Sequence, residues 1–236
     1  MQKPIEVTTK VTNKSYLNEK IIELELEYIK PNKLAFIPGQ YINVKVAENT
    51  YRSYSICSDY KNKKGLSIIV SAMHNGVGSS YIKEIQIGEE LEFIGPSGKF
   101  GMSDTLENNI VFVATGTGVS TIIAFLYLLL HIKYKGNIRL LFGNRLEEEL
   151  FYLDKLEFFK KNLKNFTYEV FISAPIKSSS YKLGRVTSVL KNYISENTQY
   201  YLCGNPNMIQ DSVKILRDAK VIDENIYHEG FTRSES

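Results

Sequence analysis

From Asn108 to Ile132 the chain carries no Asp, Glu, Lys or Arg. A run of that length with no charge is either a membrane span or the buried centre of a fold. The interruption Thr115-Gly-Thr-Gly-Val-Ser-Thr121 decides between them. What remains after it, Val119–Ile132, is too short as a helix to cross ~30 Å of hydrocarbon. The reading is therefore a buried strand over Ile110–Ala114, a glycine turn, and a buried helix reaching about Tyr134.

The rhythm continues beyond it. Ile138–Phe142 and Phe166–Ile172 read as buried strands, Glu147–Lys160 as a helix. Helix Thr187–Ile194, strand Tyr200–Cys203, helix Pro206–Ala219 and a last strand near Asn225–Glu229 follow. Strands alternating with helices mean a parallel sheet covered on both faces.

The first part obeys a different period. In Ile22–Tyr28 apolar Ile22, Leu24, Leu26 and Tyr28 alternate with Glu23, Glu25 and Glu27, the pattern of a sheet with one wet face. Tyr41–Val46, Arg52–Cys57, Leu66–Ala72 and Leu91–Ile94 are further strands, divided by turns at Pro38-Gly39, Asp59–Gly65 and Gly95–Gly98, and a short helix begins near Ser79. Short strands at this spacing predict a small antiparallel barrel. The fold expected is thus two-domain: a β-barrel over 1–103, then an α/β parallel-sheet domain over 104–236, with the switch near Ser103–Glu107.

Charge and cysteine content narrow the chemistry. A net charge of +3 is too small to argue for nucleic acid. With two cysteines, Cys57 and Cys203, there is no disulfide framework. Nor are there the four cysteines an iron–sulfur cluster ordinarily takes. The three histidines lack metal-ligand spacing, so no metal is expected. No signal-peptide stretch opens the sequence, and a cytoplasmic protein without membrane attachment is expected.

Four constellations carry chemistry. Arg52-Ser53-Tyr54-Ser55 sits on a strand, where alternation puts Arg52 and Tyr54 on one face and Ser53 and Ser55 on the other. An arginine pairs a pyrophosphate, and a tyrosine lies against a planar ring; a polar edge strand explains the run as well. Asn75-Gly-Val-Gly-Ser-Ser-Tyr81 leaves backbone N–H groups free at a helix start, which suits phosphate or simply a flexible turn. Ala114–Thr121 is a strand–glycine turn–helix of the kind that supports dinucleotide phosphates, though it lacks the full G-x-G-x-x-G and tight packing explains it too. Tyr201-Leu-Cys-Gly-Asn-Pro-Asn-Met208 places Cys203 at the carboxyl end of a parallel strand, where ligands bind in open α/β sheets.

In this order and spacing the four resemble the ferredoxin–NADP reductase family of flavoproteins, over nearly the whole chain. Pro38-Gly-Gln-Tyr41 and Gly95-Pro-Ser-Gly-Lys-Phe100 are similar to further segments of its flavin barrel. The resemblance implies an FAD-binding barrel joined to a nicotinamide-nucleotide domain. It implies that Arg52, with Ser53 in the same signature, holds the FAD pyrophosphate, that Tyr54 stacks on the isoalloxazine and that Ser55 approaches N5. Gly78, Ser79 and Ser80 would meet the flavin phosphates. Thr115, Gly116, Thr117 and Gly118 would line the coenzyme pyrophosphate. Cys203, Gly204 and Met208 belong to the second nucleotide motif, with Cys203 near nicotinamide C4; Glu229 and Phe231 match the family's acidic–x–aromatic end. Ser55, Cys203 and Glu229 are thus the implied catalytic set.

The bacterial type of the family is the nearest likeness, through Cys-Gly-Asn-Pro and two arginines. Arg145 after a strand and Arg185 in Gly184-Arg-Val186 resemble positions that clasp the 2′-phosphate of NADP. A dianion suits arginine geometry, although Arg145 also has Glu148 and Glu149 nearby to pair with. Two departures stand out: Thr121 where many members have proline, and five residues after Phe231. The function implied is transfer between NADP(H), or NAD(H), and FAD, with single electrons passed to or from a ferredoxin- or flavodoxin-like carrier. The alternatives are an NADH-dependent flavin subunit of an oxygenase, an electron-transfer subunit of a larger complex, and a barrel-plus-α/β binding module without flavin.

Overall fold

A computed structural model describes residues 3–72, 76–175 and 179–230. The described residues divide into two units, one running up to Gly101 with Ile123–Leu128, the other Met102–Ile122 with Leu129 onward.

The first unit contains β1 (Ile5–Asn18), β2 (Ile21–Lys30), β3 (Tyr41–Ala47), β4 (Thr50–Ser55), β5 (Gly65–Ser71), helix α1 (Val77–Glu84) and β6 (Glu90–Ser97). All pairings are antiparallel in the order β4-β3-β6-β1-β2-β5. The sheet closes on itself where Ile56, just past β4, bridges Ile68 of β5 and the Cys57 N–H donates to the Ser67 carbonyl at 2.9 Å. Inward residues of successive strands, among them Val11, Leu24, Ile42, Ile68 and Phe93, fill the barrel.

Strand β1, the longest in the chain, has no clean alternation in sequence. Its inward positions include Thr9, which is fully buried because its hydroxyl donates to the Leu91 carbonyl at 2.8 Å. A threonine satisfied this way occupies a core position without looking apolar.

The second unit contains β7 (Asn109–Thr115), the two ends of α2 (Val119–His131), β8 (Asn137–Asn144), α3 (Leu153–Asn162), β9 (Phe166–Ile172), β10 (Lys182–Leu183), β11 (Thr198–Gly204), α4 (Pro206–Asp218) and β12 (Ile226–Gly230). Every pairing is parallel, in the order β10-β9-β8-β7-β11-β12. Successive strands run outward from β7 to β10 and then resume on its other side at β11. The carboxyl ends of β7 and β11 therefore flank a topological switch point.

Two expected helices are different in detail. Glu147–Lys160 is not one helix: Glu147–Glu149 forms a 3₁₀ turn and α3 starts only at Leu153. Between them Phe151 and Tyr152 turn inward and are buried, with Phe151 edge-on to Phe142 at 6.1 Å, and Tyr152 takes φ +61°. Thr187–Ile194 is two 3₁₀ turns, Val186–Ser188 and Leu190–Tyr193. Its β-branched Val186, Thr187 and Val189 are poor helix formers. Among the described residues no helix is long and apolar enough to cross a membrane.

Candidate functional site

In the barrel, β4 pairs with β3 so that Val44 faces Arg52, Asn43 faces Ser53, Ile42 faces Tyr54 and Tyr41 faces Ser55. Arg52 and Tyr54 lie together. A Cβ placed on Gly78, in the first turn of α1, would come 2.7 Å from the Tyr54 hydroxyl and 2.9 Å from Arg52 Cγ. Only a glycine lets the helix start approach that face of the strand. Ser53 points away and donates to Asn43 Oδ1 at 2.7 Å, while Ser55 is buried.

The start of α1 is chemically open. Gly76 is its N-cap and no side chain caps it, so first-turn N–H groups of Gly78 and Ser79 have no helical acceptor. The Ser79 hydroxyl donates to the Ser71 carbonyl at 3.2 Å, leaving its N–H for another partner, and the Ser80 N–H begins the helical bonding to Gly76 at 2.9 Å. Beside this positive end stands Arg52, whose Nη1 donates to the Tyr51 carbonyl at 2.9 Å. Arg52 makes no ion pair among the described residues. An uncapped helix start and an unpaired guanidinium fit a phosphate group. Burial pushes the Tyr54 hydroxyl up to about 12, against the opposing pull of Arg52, so it stays neutral beside them.

In the α/β unit, two turns interlock at the switch point. A Cβ on Gly118 would lie 2.2 Å from the Cys203 carbonyl oxygen, and one on Gly204 would lie 2.5 Å from the Thr115 carbonyl, where φ is +131°. The Asn205 N–H donates to Thr115 Oγ1 at 2.9 Å, and Asn205 Oδ1 caps α4 by accepting from the Asn207 N–H at 2.9 Å. Gly116 faces open space, with nothing within 4 Å of a Cβ position, and Thr117 accepts from the Ser120 hydroxyl at 2.7 Å. The 3₁₀ turn Gly116–Gly118 thus presents backbone at the carboxyl edge of the sheet, the requirement for a dinucleotide phosphate.

Cys203 and Glu229 are register partners across β11 and β12. Cys203 is fully buried, with Sγ 3.6 Å from Thr121 Oγ1. Burial pushes its thiol up to about 12, and Glu229 adds to the rise, so it is a thiol at neutral pH. Glu229 is partly buried; burial lifts its carboxyl to about 7, and Oε2 has no hydrogen-bond partner among the described residues. Met208 is buried in the first turn of α4. Phe231 lies outside the described residues.

Arg145 and Arg185 are both exposed at the carboxyl edge. Arg145 follows β8 and Arg185 follows β10, with β9 between those strands. The Ala174 N–H donates to the Arg145 carbonyl and the Gly184 N–H to the Ile172 carbonyl, each at 2.9 Å. Neither arginine forms an ion pair among the described residues, so the pairing of Arg145 with Glu148 or Glu149 is not made. Two neighbours that the motifs gave no site role belong beside these residues. Thr121 is the partner of Cys203, and Asn144 is buried with Nδ2 unpartnered next to Arg145. A polar residue directly after the apolar run Leu140–Gly143 is the signal that marks Asn144.

The comparisons with known proteins agree with both halves. The oxidoreductase FAD-binding domain family matches residues 8–102, and the oxidoreductase NAD-binding domain family matches residues 112–214. The anthranilate 1,2-dioxygenase electron transfer component of Acinetobacter baylyi is 30% identical over 98% of this chain and 69% of its own length. The Amycolatopsis cytochrome P450 reductase GcoB superposes with a TM-score of 0.91 at 21% identity, covering 100% of this chain and 72% of that one. The ferredoxin-NADP+ reductase of Plasmodium falciparum superposes with a TM-score of 0.77 at 23% identity, over 97% and 96%. The chain belongs to the ferredoxin reductase-like family of FAD- and NAD(P)-binding oxidoreductases. Within it, the protein is an FAD-binding barrel followed by an NAD(P)-binding α/β unit.

Proposed function

We propose that the chain is an NADPH-dependent flavoprotein reductase that exchanges single electrons with a separate ferredoxin- or flavodoxin-like carrier. Bound FAD would supply the exchange between the two-electron chemistry of the nicotinamide and the one-electron chemistry of the carrier. The chain's own residues bind and orient the two cofactors. Residues 1–103 serve the flavin, with Arg52 and the Gly78 and Ser79 N–H groups on its pyrophosphate, Ser80 beside them, Tyr54 against the ring and Ser55 toward N5. Residues 104–236 serve the coenzyme, with Thr115–Gly118 and Gly204 forming the phosphate turn, Met208 supporting it, and Cys203 and Glu229 at the nicotinamide end.

The observation that carries the coenzyme choice is the pair of unpaired arginines, Arg145 and Arg185, at one edge of the sheet. Two guanidiniums that no carboxylate neutralises suit the 2′-phosphate dianion. Each charge-assisted contact is worth roughly 1.5–3 kcal/mol. Removing either by Arg145→Ala or Arg185→Ala should weaken NADPH about 10- to 100-fold. The decisive experiment takes the purified chain, measures its flavin spectrum and FAD stoichiometry, and compares NADPH with NADH turnover in wild type and both variants. A colourless protein after FAD addition overturns the flavin reading; equal losses for both coenzymes overturn the 2′-phosphate assignment.

A second reading, an NADH-using reductase component of an oxygenase, is favoured by one finding. The similarity to the dioxygenase electron transfer component spans 98% of this chain. Wild-type preference for NADH, with electrons delivered to an oxygenase and not to ferredoxin or flavodoxin, would select it.

A further inference from the structure

Arg185 stands in a stretch with little regular structure to hold it. From Lys182 to Tyr193 the chain forms a two-residue strand and two 3₁₀ turns. Yet the two ends of this stretch converge on one carboxylate. Lys182 Nζ donates to Glu169 Oε2, and the Tyr193 hydroxyl donates to Glu169 Oε1 at 2.6 Å. Arg139 Nη1 adds a third donor to Oε1 at 2.9 Å, and its guanidinium lies 4.7 Å from the Tyr193 ring centroid. The Glu169 side chain is only 16% exposed. An isolated surface ion pair contributes little, but a largely buried carboxylate with three donors forms a coupled network. Burial raises the Glu169 carboxyl, but the hydrogen bonds from Lys182 and Tyr193 and the charges of Lys182 and Arg139 outweigh it and leave it below the usual range.

Between the two anchors the stretch is pinned to the sheet edge. The Gly184 N–H donates to Ile172, and Val186 packs on Gly143, where a Cβ would come 2.9 Å from Val186 Cγ1. Gly143 lies two residues before Arg145. The segment that carries Arg185 is therefore held in register with the strand end that carries Arg145.

We infer that Glu169 is a positioning residue for coenzyme choice: it fastens both ends of the Lys182–Tyr193 segment and so sets Arg185 in register with Arg145 at the coenzyme's ribose phosphate. This rests on the assignment of those arginines to the 2′-phosphate. Glu169 touches neither coenzyme nor flavin in this assignment; it acts through Arg185. Loosening the segment should affect the phosphorylated coenzyme more than the unphosphorylated one.

The test is steady-state kinetics of the FAD-loaded full chain with NADPH and NADH, in wild type, Glu169→Gln, Tyr193→Phe and Arg185→Ala. Glu169→Gln should raise the KM for NADPH about tenfold, as a misplaced contact group does, with kcat at saturation retained. The NADPH-over-NADH ratio should fall accordingly. Tyr193→Phe, which removes one anchor without removing charge, should move the same ratio in the same direction by a smaller factor. FAD content and NADH turnover report that the variants are folded. If Arg185→Ala lowers the ratio while Glu169→Gln and Tyr193→Phe leave it unchanged, the positioning role is overturned and the coenzyme assignment stands. If Arg185→Ala has no effect on the ratio, the coenzyme assignment falls and the positioning role with it. Equal losses for both coenzymes in Glu169→Gln would make Glu169 a structural residue only.

Discussion

On the proposed reading, the two halves of this chain would receive anionic groups by different means. In the barrel the groups are side chains on the face of a strand: Arg52 and Tyr54 of β4, with one helix start laid against them through Gly78. In the α/β unit the groups are backbone, in turns that interlock at the carboxyl ends of β7 and β11. In the first arrangement what meets the helix is side-chain atoms of Arg52 and Tyr54, which can shift without moving a strand's main chain. The second has no such freedom, because Gly118 and Gly204 each press against the main chain of the opposite turn. A strand-face site is tuned by its side chains, whereas an interlocked-turn site stands or falls with its glycines.

The largest effect should come from testing that rigidity. In Gly118→Ala the new methyl would sit 2.2 Å from the Cys203 carbonyl oxygen and 2.5 Å from its carbon, so backbone has to move. Overpacking of this kind should cost roughly 1–3 kcal/mol. For a unit of this size that is on the order of a 10 °C fall in Tm. Gly78→Ala meets side-chain atoms alone, of Tyr54 and Arg52, and its loss should appear in FAD affinity more than in Tm. Thermal melts of both variants, with and without excess FAD, make the comparison. Equal Tm losses would break the distinction between the two sites.

Arg52→Ala addresses the strand-face site directly. The side chain donates one hydrogen bond, to the neighbouring Tyr51 carbonyl, and forms no ion pair among the described residues. Its removal should leave the flavin-free barrel nearly as stable as before. FAD binding should weaken by roughly 1.5–3 kcal/mol, about 10- to 100-fold, because a charge-assisted contact is lost. Titration of FAD into the flavin-free variant measures it; unchanged affinity would remove Arg52 from the pyrophosphate.

The same contrast explains what could be read from sequence. Both sheets were legible, since Ile22–Tyr28 shows period two and Ile110–Ala114 shows continuous burial, and each period belongs to one kind of sheet. The pairing of Arg52 with Tyr54 on one face was legible for the same reason. Strand β1 was not, because Thr9 occupies a core position with its hydroxyl satisfied by Leu91, and no pattern of apolar residues records that bond. The break between Glu147–Glu149 and α3 was hidden because Phe151 and Tyr152 fit a helix locally and are drawn inward by tertiary contacts. The partners of the coenzyme-side residues are also invisible locally. Cys203 meets Thr121, and Glu169 gathers Arg139, Lys182 and Tyr193 from three separate segments. The motifs mark the residues proposed to touch a ligand, whereas the residues that hold them in place are scattered along the chain.

The smallest expected effect concerns pH, and it separates the halves once more. Tyr54, the half-buried titratable group of the strand-face site, is pushed up by desolvation to about 12 and stays neutral through the physiological range. Glu229, beside Cys203, is lifted by burial to about 7 and changes charge within that range. The sign follows from which form is penalised. Folding disfavours the carboxylate, so the folded protein holds this proton more tightly than the unfolded chain does. The stabilising contribution of the neutral acid is complete below the ordinary carboxylate range and is lost as pH rises through about 7. Cys203 stays a neutral thiol at both ends of that window and supplies no cation to offset the charge. Glu229→Gln keeps the shape and removes the titration. Relative to wild type its Tm should therefore rise more at pH 8 than at pH 5, with each 1 kcal/mol recovered appearing as about 2–4 °C. Melts at the two pH values, on the flavin-loaded protein, give the difference. A gain confined to pH 5, or a loss at pH 8, would mean that the Glu229 carboxylate is stabilised by a positive partner, and the buried Oε2 would then have to be assigned as one end of an ion pair.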